Sequence, residues 1–414
     1  MPVKERLFCC NFMFASILIL SAAALMCTDT AHAADKKKKP PVTRYWMSIA
    51  TDKSSMPGMP AGVPDFGGMF GGRGSGKQLL LQLNSPRTLP ASPKATHDIP
   101  PAQEMGDTLP LLIPTQERTR QSSAATAGSV ENVEKPEMRM LIYWGCGEKI
   151  RQGQPRVLDT KTMSPADFGK AMAGVGVSRQ SPPSPRSGRI YADWPNRENS
   201  TPVPKESSLV GNHFVHGNYM PDIRFSITEK HDFMAPVEFT SVQGGLADAV
   251  RFQWRIIRTA TGYYAMAVGH DHNSGTMIIW SSSELPEPGY ALMDYLPEKE
   301  VQRLIKEKVI MPSTVNQCSI PKGIFKDAEG AMLQFIAYGD ELNLVYPPYD
   351  PVKPKDPIWT MKARRKSTGM LPLMSMDETQ DTRRSNRETS NEDSAPAVEK
   401  ELTPGKILRN IFDF

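Results

Sequence analysis

Apolar residues fall on alternate positions in short stretches along most of the chain, and this period of two predicts strands. The clearest stretches are 44–51 (RYWMSIAT), 77–83 (KQLLLQL), 138–146 (MRMLIYWGC), 155–160 (PRVLDT), 222–228 (DIRFSIT) and 250–257 (VRFQWRII). In the last two, Ile223, Phe225 and Ile227, then Phe252, Trp254 and Ile256, each share one face. YYAMAVG and TMIIWSSS flank the turn HDHNSG and predict a hairpin; 331–346 (AMLQFIAYGDELNLVY) predicts another, turning at Gly339–Asp340.

The period changes to that of a helix in two places. Ser164, Pro165 and Asp167 form a helix start ahead of a short helix over 164–174, with the serine as cap and the proline in the first turn. The second, over 297–310, sets Val301, Leu304, Ile305 and Lys308 at helical spacing.

With 37 prolines, and with Pro, Gly, Ser and Asn clusters between short strands, the chain reads as mainly β. We expect two β-rich domains, each a sandwich or partial barrel, with few short helices. Domain 1 spans 41–176 and carries a disordered insert at about 115–136. A Pro/Ser-rich linker, 177–188, leads to domain 2 at 189–348, which holds the 297–310 helix. Residues 349–414 read as a mostly disordered tail. The basic run 353–366, with six Lys/Arg against one Asp, reads as a solvated part of it that could touch anionic lipid or polysaccharide. The closing KILRNIFDF regains an amphipathic pattern. MLIYWGCGE (140–148) and MIIWSSSE (277–284) echo each other, which raises the question of a duplicated unit.

The N-terminus predicts the compartment. Lys4 and Arg6 precede a 16-residue apolar run, Phe12 to Cys27, and Ala31-His32-Ala33 supplies a small–x–small cleavage site. The run is short for a membrane anchor, which needs about 20 residues. Residues 1–33 therefore read as an export signal, placing the mature protein in the periplasm or on the surface of a bacterial envelope. No later stretch predicts a transmembrane helix.

Export gives the cysteines their meaning. Cys9, Cys10 and Cys27 leave with the signal, so Cys146 and Cys318 remain in a compartment where disulfides persist. They either pair or stand as two separate thiols.

GGRGSGK (71–77) fits most of a phosphate-binding P-loop. Gln78, however, stands where a magnesium-binding hydroxyl is needed, and Leu79, Leu81 and Leu83 alternate as a strand where the motif needs a helix. Nucleotide is excluded on these grounds, and nucleic acid by the expected compartment. The net charge of +4 adds no strong field.

Function therefore reads as binding or structure in the envelope, with an envelope protein, polysaccharide or lipid surface as partner. The alternative is a periplasmic copper or zinc protein. Its ligands would be His270 and His272 in one turn and His213 and His216 in NHFVHGN, helped by loop methionines such as Met56, Met59, Met370, Met374 and Met376. A hydrolase is a further alternative without a nameable nucleophile. Ser319 and Lys322 match S-x-x-K, but Pro321 denies them a helix.

Overall fold

The computed structural model describes residues 42–54, 75–114, 138–185 and 188–374. The expected export signal, the disordered insert at 115–136 and the tail beyond 374 lie outside the described residues.

The chain is mainly β. Its strands are β1 (Thr43–Ser54), β2 (Gly76–Ser85), β3 (Ala95–Asp98), β4 (Thr108–Pro110), β5 (Arg139–Trp144), β6 (Arg156–Asp159), β7 (Ile190–Trp194), β8 (Gly211–Gly217) and β9 (Ile223–Ile227). They continue with β10 (Phe239–Gln243), β11 (Val250–Trp254), β12 (Ala260–Asp271), β13 (Thr276–Ser281), β14 (Met311–Pro312), β15 (Gln317–Ile320), β16 (Ala331–Tyr346) and β17 (Trp359–Leu373). Two helices, α1 (Pro165–Met172) and α2 (Glu298–Lys306), complete the set. Ser164 caps α1 as its sequence predicts, its hydroxyl oxygen accepting from the Asp167 amide at 3.1 Å. Among the described residues no helix is long and apolar enough to cross a membrane.

Ten strands form one sheet in the order β6-β5-β13-β12-β16-β17-β1-β2-β7, with β14 added beside β12. Two smaller sheets, β10-β11-β15 and β4-β3-β8-β9, accompany it. Strand parity decides which sheet packs where. Odd-numbered residues of β1, β2 and the start of β17 (Tyr45, Met47, Leu81, Leu83, Met361) share a core with Val215, Ile223 and Phe225 of the four-stranded sheet. On the same face, Tyr263, Phe335 and Leu371 pack with Phe252, Trp254 and Ile320 of the three-stranded sheet. The opposite face of β5, β13, β12 and β16 is apolar too: Ile142, Ile279, Met266 and Ile336 meet Val301 and Leu304 of α2. The large sheet is thus sandwiched on one face along most of its width, and on half of the other.

This arrangement changes several sequence expectations. The tail beginning at 349 is not wholly unstructured, because 359–373 is an inner strand, parallel to β1 (Thr43↔Trp359) and antiparallel to β16. Its alternation is masked in sequence by cations on the second face. The expected boundary at 177–188 does not separate two sheets: β5 lies parallel to β13, and β1 to β17. Segment 331–346 is one strand rather than a hairpin. β17 follows it over its whole length, and the register shift between Tyr338 and Glu341 absorbs Gly339–Asp340 as a bulge. A Cβ at Gly339 would stand 2.8 Å from the Met234 sulfur and 2.9 Å from the Arg365 Cβ, so the bulge needs glycine there. The hairpin across HDHNSG forms as expected between β12 and β13. The two echoing segments are neighbours, but Trp280 stands opposite Tyr143 rather than Trp144.

Candidate functional site

On the half of the large sheet not covered by α2, the second face turns polar. The even-numbered residues of β17 put Lys362, Arg364 and Lys366 on one side, about 7 Å apart along the strand. The parallel register with β1 brings Trp46 beside Lys362 and Ser48 beside Arg364. Register with β16 brings Glu341 beside Arg364.

The three cations have different partners. Lys362 is buried and its ammonium sits 2.7 Å from Glu341. Lys366 stands 3.8 Å from an Asp294 carboxylate oxygen. Arg364 Nε donates to the Ser48 hydroxyl at 2.8 Å, and its guanidinium carbon lies 5.3 Å from the Trp46 ring centre and 4.3 Å from that of Tyr295. The same rings serve the lysines, Trp46 at 5.5 Å from Lys362 and Tyr295 at 4.8 Å from Lys366. Among the described residues no carboxylate lies at ion-pair distance from Arg364. Burial pushes its guanidinium below the usual range, with Tyr295, Asp294 and Glu341 opposing. Burial lowers the Lys366 ammonium in the same way, Asp294 and Asp52 opposing and Arg364 and Arg179 adding to the fall.

Tyr295 and Asp294 reach this face from the loop ahead of α2. Tyr338, on the same side of β16, fixes that loop: its hydroxyl donates to the Leu292 carbonyl at 2.5 Å. Behind the face, Arg365 points the other way. It binds the Asp340 carboxylate and donates to the Asp232 carbonyl at 2.9 Å. Burial works to raise the Asp340 carboxyl, but Arg365, Lys230 and His231 overcome it and hold it below the ordinary range.

The predicted metal ligands do not meet as one set. His213 and His216 are three apart on β8, so they face opposite sides of it. His216 Nε2 lies 3.1 Å from Asp98, while His213 is buried. His270 and His272 stand edge to face, ring centres 4.4 Å apart, and His272 lies 3.5 Å from Glu329. Their turn is shaped by Asp271, whose carboxylate accepts from the Asn273 amide at 3.0 Å and the Ser274 hydroxyl at 2.6 Å. Among the described residues no three His, Cys, Asp or Glu side chains converge as a metal set.

Sequence reasoning missed His97. Tyr45 Oη lies 2.8 Å from His97 Nδ1, His97 Nε2 lies 2.9 Å from His213 Nδ1, and His213 Nε2 lies 2.7 Å from the Leu209 carbonyl. One assignment satisfies every group: tyrosine donates to His97, His97 to His213, and His213 to the carbonyl, with both rings neutral. The available signal was positional. His97 alternates with Ala95 on one face of β3, as His213 does with Val215 on β8.

Cys146 and Cys318 stand at disulfide distance, sulfurs 2.09 Å and Cα atoms 5.2 Å apart. Cys318 lies on β15 of the three-stranded sheet, and Cys146 just beyond β5 of the large one. At the glycine-rich segment, β2 begins at Gly76 with no helix, in line with the sequence reading. Gly76, Lys77, Trp194, Asn196 and Thr201 line an open cleft of about 450 Å³. The Lys77 ammonium donates to the Ser207 carbonyl at 2.6 Å and lies 5.2 Å from the Phe233 ring centre.

Comparison with known proteins supplies no relative: no family model, no curated protein and no solved structure matches this chain.

Proposed function

We propose that this protein is exported to the bacterial envelope and binds a ligand there rather than turning one over. The observation that carries the binding half of this reading is the polar half-face of the large sheet. It gathers Lys362, Arg364 and Lys366 near two aromatic rings, and among the described residues it leaves Arg364 with no carboxylate at ion-pair distance. Such an arrangement suits an incoming anion or polar surface. The export half is supported by the A-x-A signal and by the cysteine pair, which forms a lasting bond in an oxidising compartment. The partner is an envelope polysaccharide, protein or lipid surface.

The test is to express the full chain in a bacterial host, recover it from the periplasm, and measure its mass with and without reduction. A chain beginning at Ala34 that gains two hydrogens on reduction and cosediments with isolated envelopes supports the proposal. Retention of residues 1–33 in the cytoplasmic fraction overturns the placement. Failure to cosediment overturns the envelope partner.

A further inference from the structure

Arg364 has the properties of half a recognition pair. Its guanidinium carbon lies 5.3 Å from the Trp46 ring centre and 4.3 Å from that of Tyr295, and its Nε is taken by Ser48. What remains is the outer edge, the two terminal nitrogens, which present parallel N–H groups to an oxyanion. Lys362 and Lys366 flank it two residues either way, and Glu341 and Asp294 hold each of those in place. Among the described residues the cation between them is the one with no carboxylate at ion-pair distance, Glu341 standing beside it in register. A charge placed among aromatic rings and stripped of part of its water is one that gains most from an oxyanion partner.

The geometry points to Arg364 as the centre of a binding subsite for the carboxylate or phosphate group of an acidic glycan, a refinement that rests on the envelope-binding reading above. The choice of glycan follows from depth. Trp46 and Lys362, which wall the site, are each under a tenth exposed, so a flat bilayer surface cannot bring its headgroups down to the guanidinium. An anionic group at the end of a narrow saccharide reaches further in than a headgroup held in a plane. A carboxylate and a phosphate both offer the two coplanar oxygens that the arginine edge matches.

Calorimetric titration of the full-length folded protein tests this with five probes: glucuronic acid, glucose 6-phosphate, neutral glucose, inorganic phosphate, and vesicles containing phosphatidylglycerol. We expect the two acidic sugars to bind and glucose not to. Arg364→Gln should weaken both roughly tenfold or more, and Arg364→Lys, which keeps the charge but loses the fork, should fall between. Unchanged circular dichroism of each variant establishes that the loss is local.

Equal binding by wild type and Arg364→Gln, or no binding of any acidic sugar to wild type, overturns the subsite. If inorganic phosphate binds as tightly as glucose 6-phosphate, or vesicles bind through Arg364 while the sugars do not, the glycan is the wrong ligand. Envelope cosedimentation separates this inference from the broader one. If Arg364→Gln still cosediments fully, the binding reading stands without the subsite. If acidic sugars bind but nothing cosediments, the subsite stands without the envelope partner.

Discussion

The Nε2 atom of His97 lies 2.9 Å from Nδ1 of His213, and the core around this pair holds Tyr45, Phe225 and aliphatic side chains. Burial, and then the charge on its partner, drives the His97 imidazole well below its ordinary range. Burial lowers that of His213 as well, against the pull of the Leu209 carbonyl. In an unfolded chain both would take up protons near pH 6.5. Because the folded values lie lower, the unfolded state binds more protons between them. The stabilisation is complete above pH 6.5 and is lost as pH falls through the folded values. Each histidine contributes a slope of about 1.4 kcal/mol per pH unit in that window. Chemical denaturation at pH 7.5, 6 and 5 should show this fall, and His97→Gln should flatten it. An equally steep profile in that variant would place the pH sensitivity elsewhere.

Truncating the same chain should be costly. His97→Ala leaves the Tyr45 hydroxyl and the His213 ring without their partner inside the core, which we expect to lower stability by about 2–4 kcal/mol. The shift of the urea midpoint measures it.

Cys146 and Cys318 are 172 positions apart, so their bond closes a long loop. Cys146→Ser with Cys318→Ser should cost about 2–4 kcal/mol. Faster hydrogen exchange should be concentrated in β11 and β15, whose sheet the bond ties to the end of β5. Equal stability of the reduced and oxidised proteins would contradict this.

The loop that carries Tyr295 hangs on one hydroxyl. Tyr338→Phe removes the donor to the Leu292 carbonyl and should cost about 1–2 kcal/mol. If the loop supports Arg364 as described, acidic-sugar affinity drops in this variant although Tyr338 acts only through the loop. Calorimetry on the folded variant decides it.

The four candidate metal ligands give a clear expectation. One equivalent of zinc or of reduced copper should leave the melting temperature unchanged, and His270→Ala with His272→Ala should behave as wild type. A stoichiometric, histidine-dependent stabilisation would support the metal reading instead.

Gly174 is left-handed (φ 57°), and a Cβ there would come within 2.3 Å of an oxygen of Glu287. That buried carboxylate accepts the Val175 amide at 2.6 Å and the Gly289 amide at 3.0 Å. Gly174→Ala should therefore cost over about 1 kcal/mol and loosen 173–178, visible as faster exchange of the Val175 amide.

Much of the strand content was legible because period-two alternation is a local property, as at Ile223, Phe225 and Ile227. The Ser164 cap was legible for the same reason. The sheet order was not, since nothing local in RYWMSIAT says that its neighbour will be Trp359–Leu373. The basic run concealed β17 for a physical reason. Its alternate residues Met361, Ala363 and Ser367 face the core, but Arg365 interrupts them with a charge that is neutralised by Asp340, a residue of the β16 bulge. A cation cancelled by a distant carboxylate looks like a solvated one until the two are seen together. The surroundings of Arg364 had the same fault: its aromatic neighbours come from positions 46 and 295, and only the fold joins them to position 364.

The pairing of Thr43 with Trp359 also sets an order of events. The two strands meet across 316 positions, so during synthesis β1 and β2 emerge long before the strand that completes their sheet. Until residue 373 has appeared, β1 and β16 each present an open edge toward the gap that β17 fills. Contacts of this range make folding slow and expose sticky intermediates. A chain halted near residue 358 would keep both edges open permanently, so premature termination there should yield an aggregating fragment rather than a smaller version of the protein.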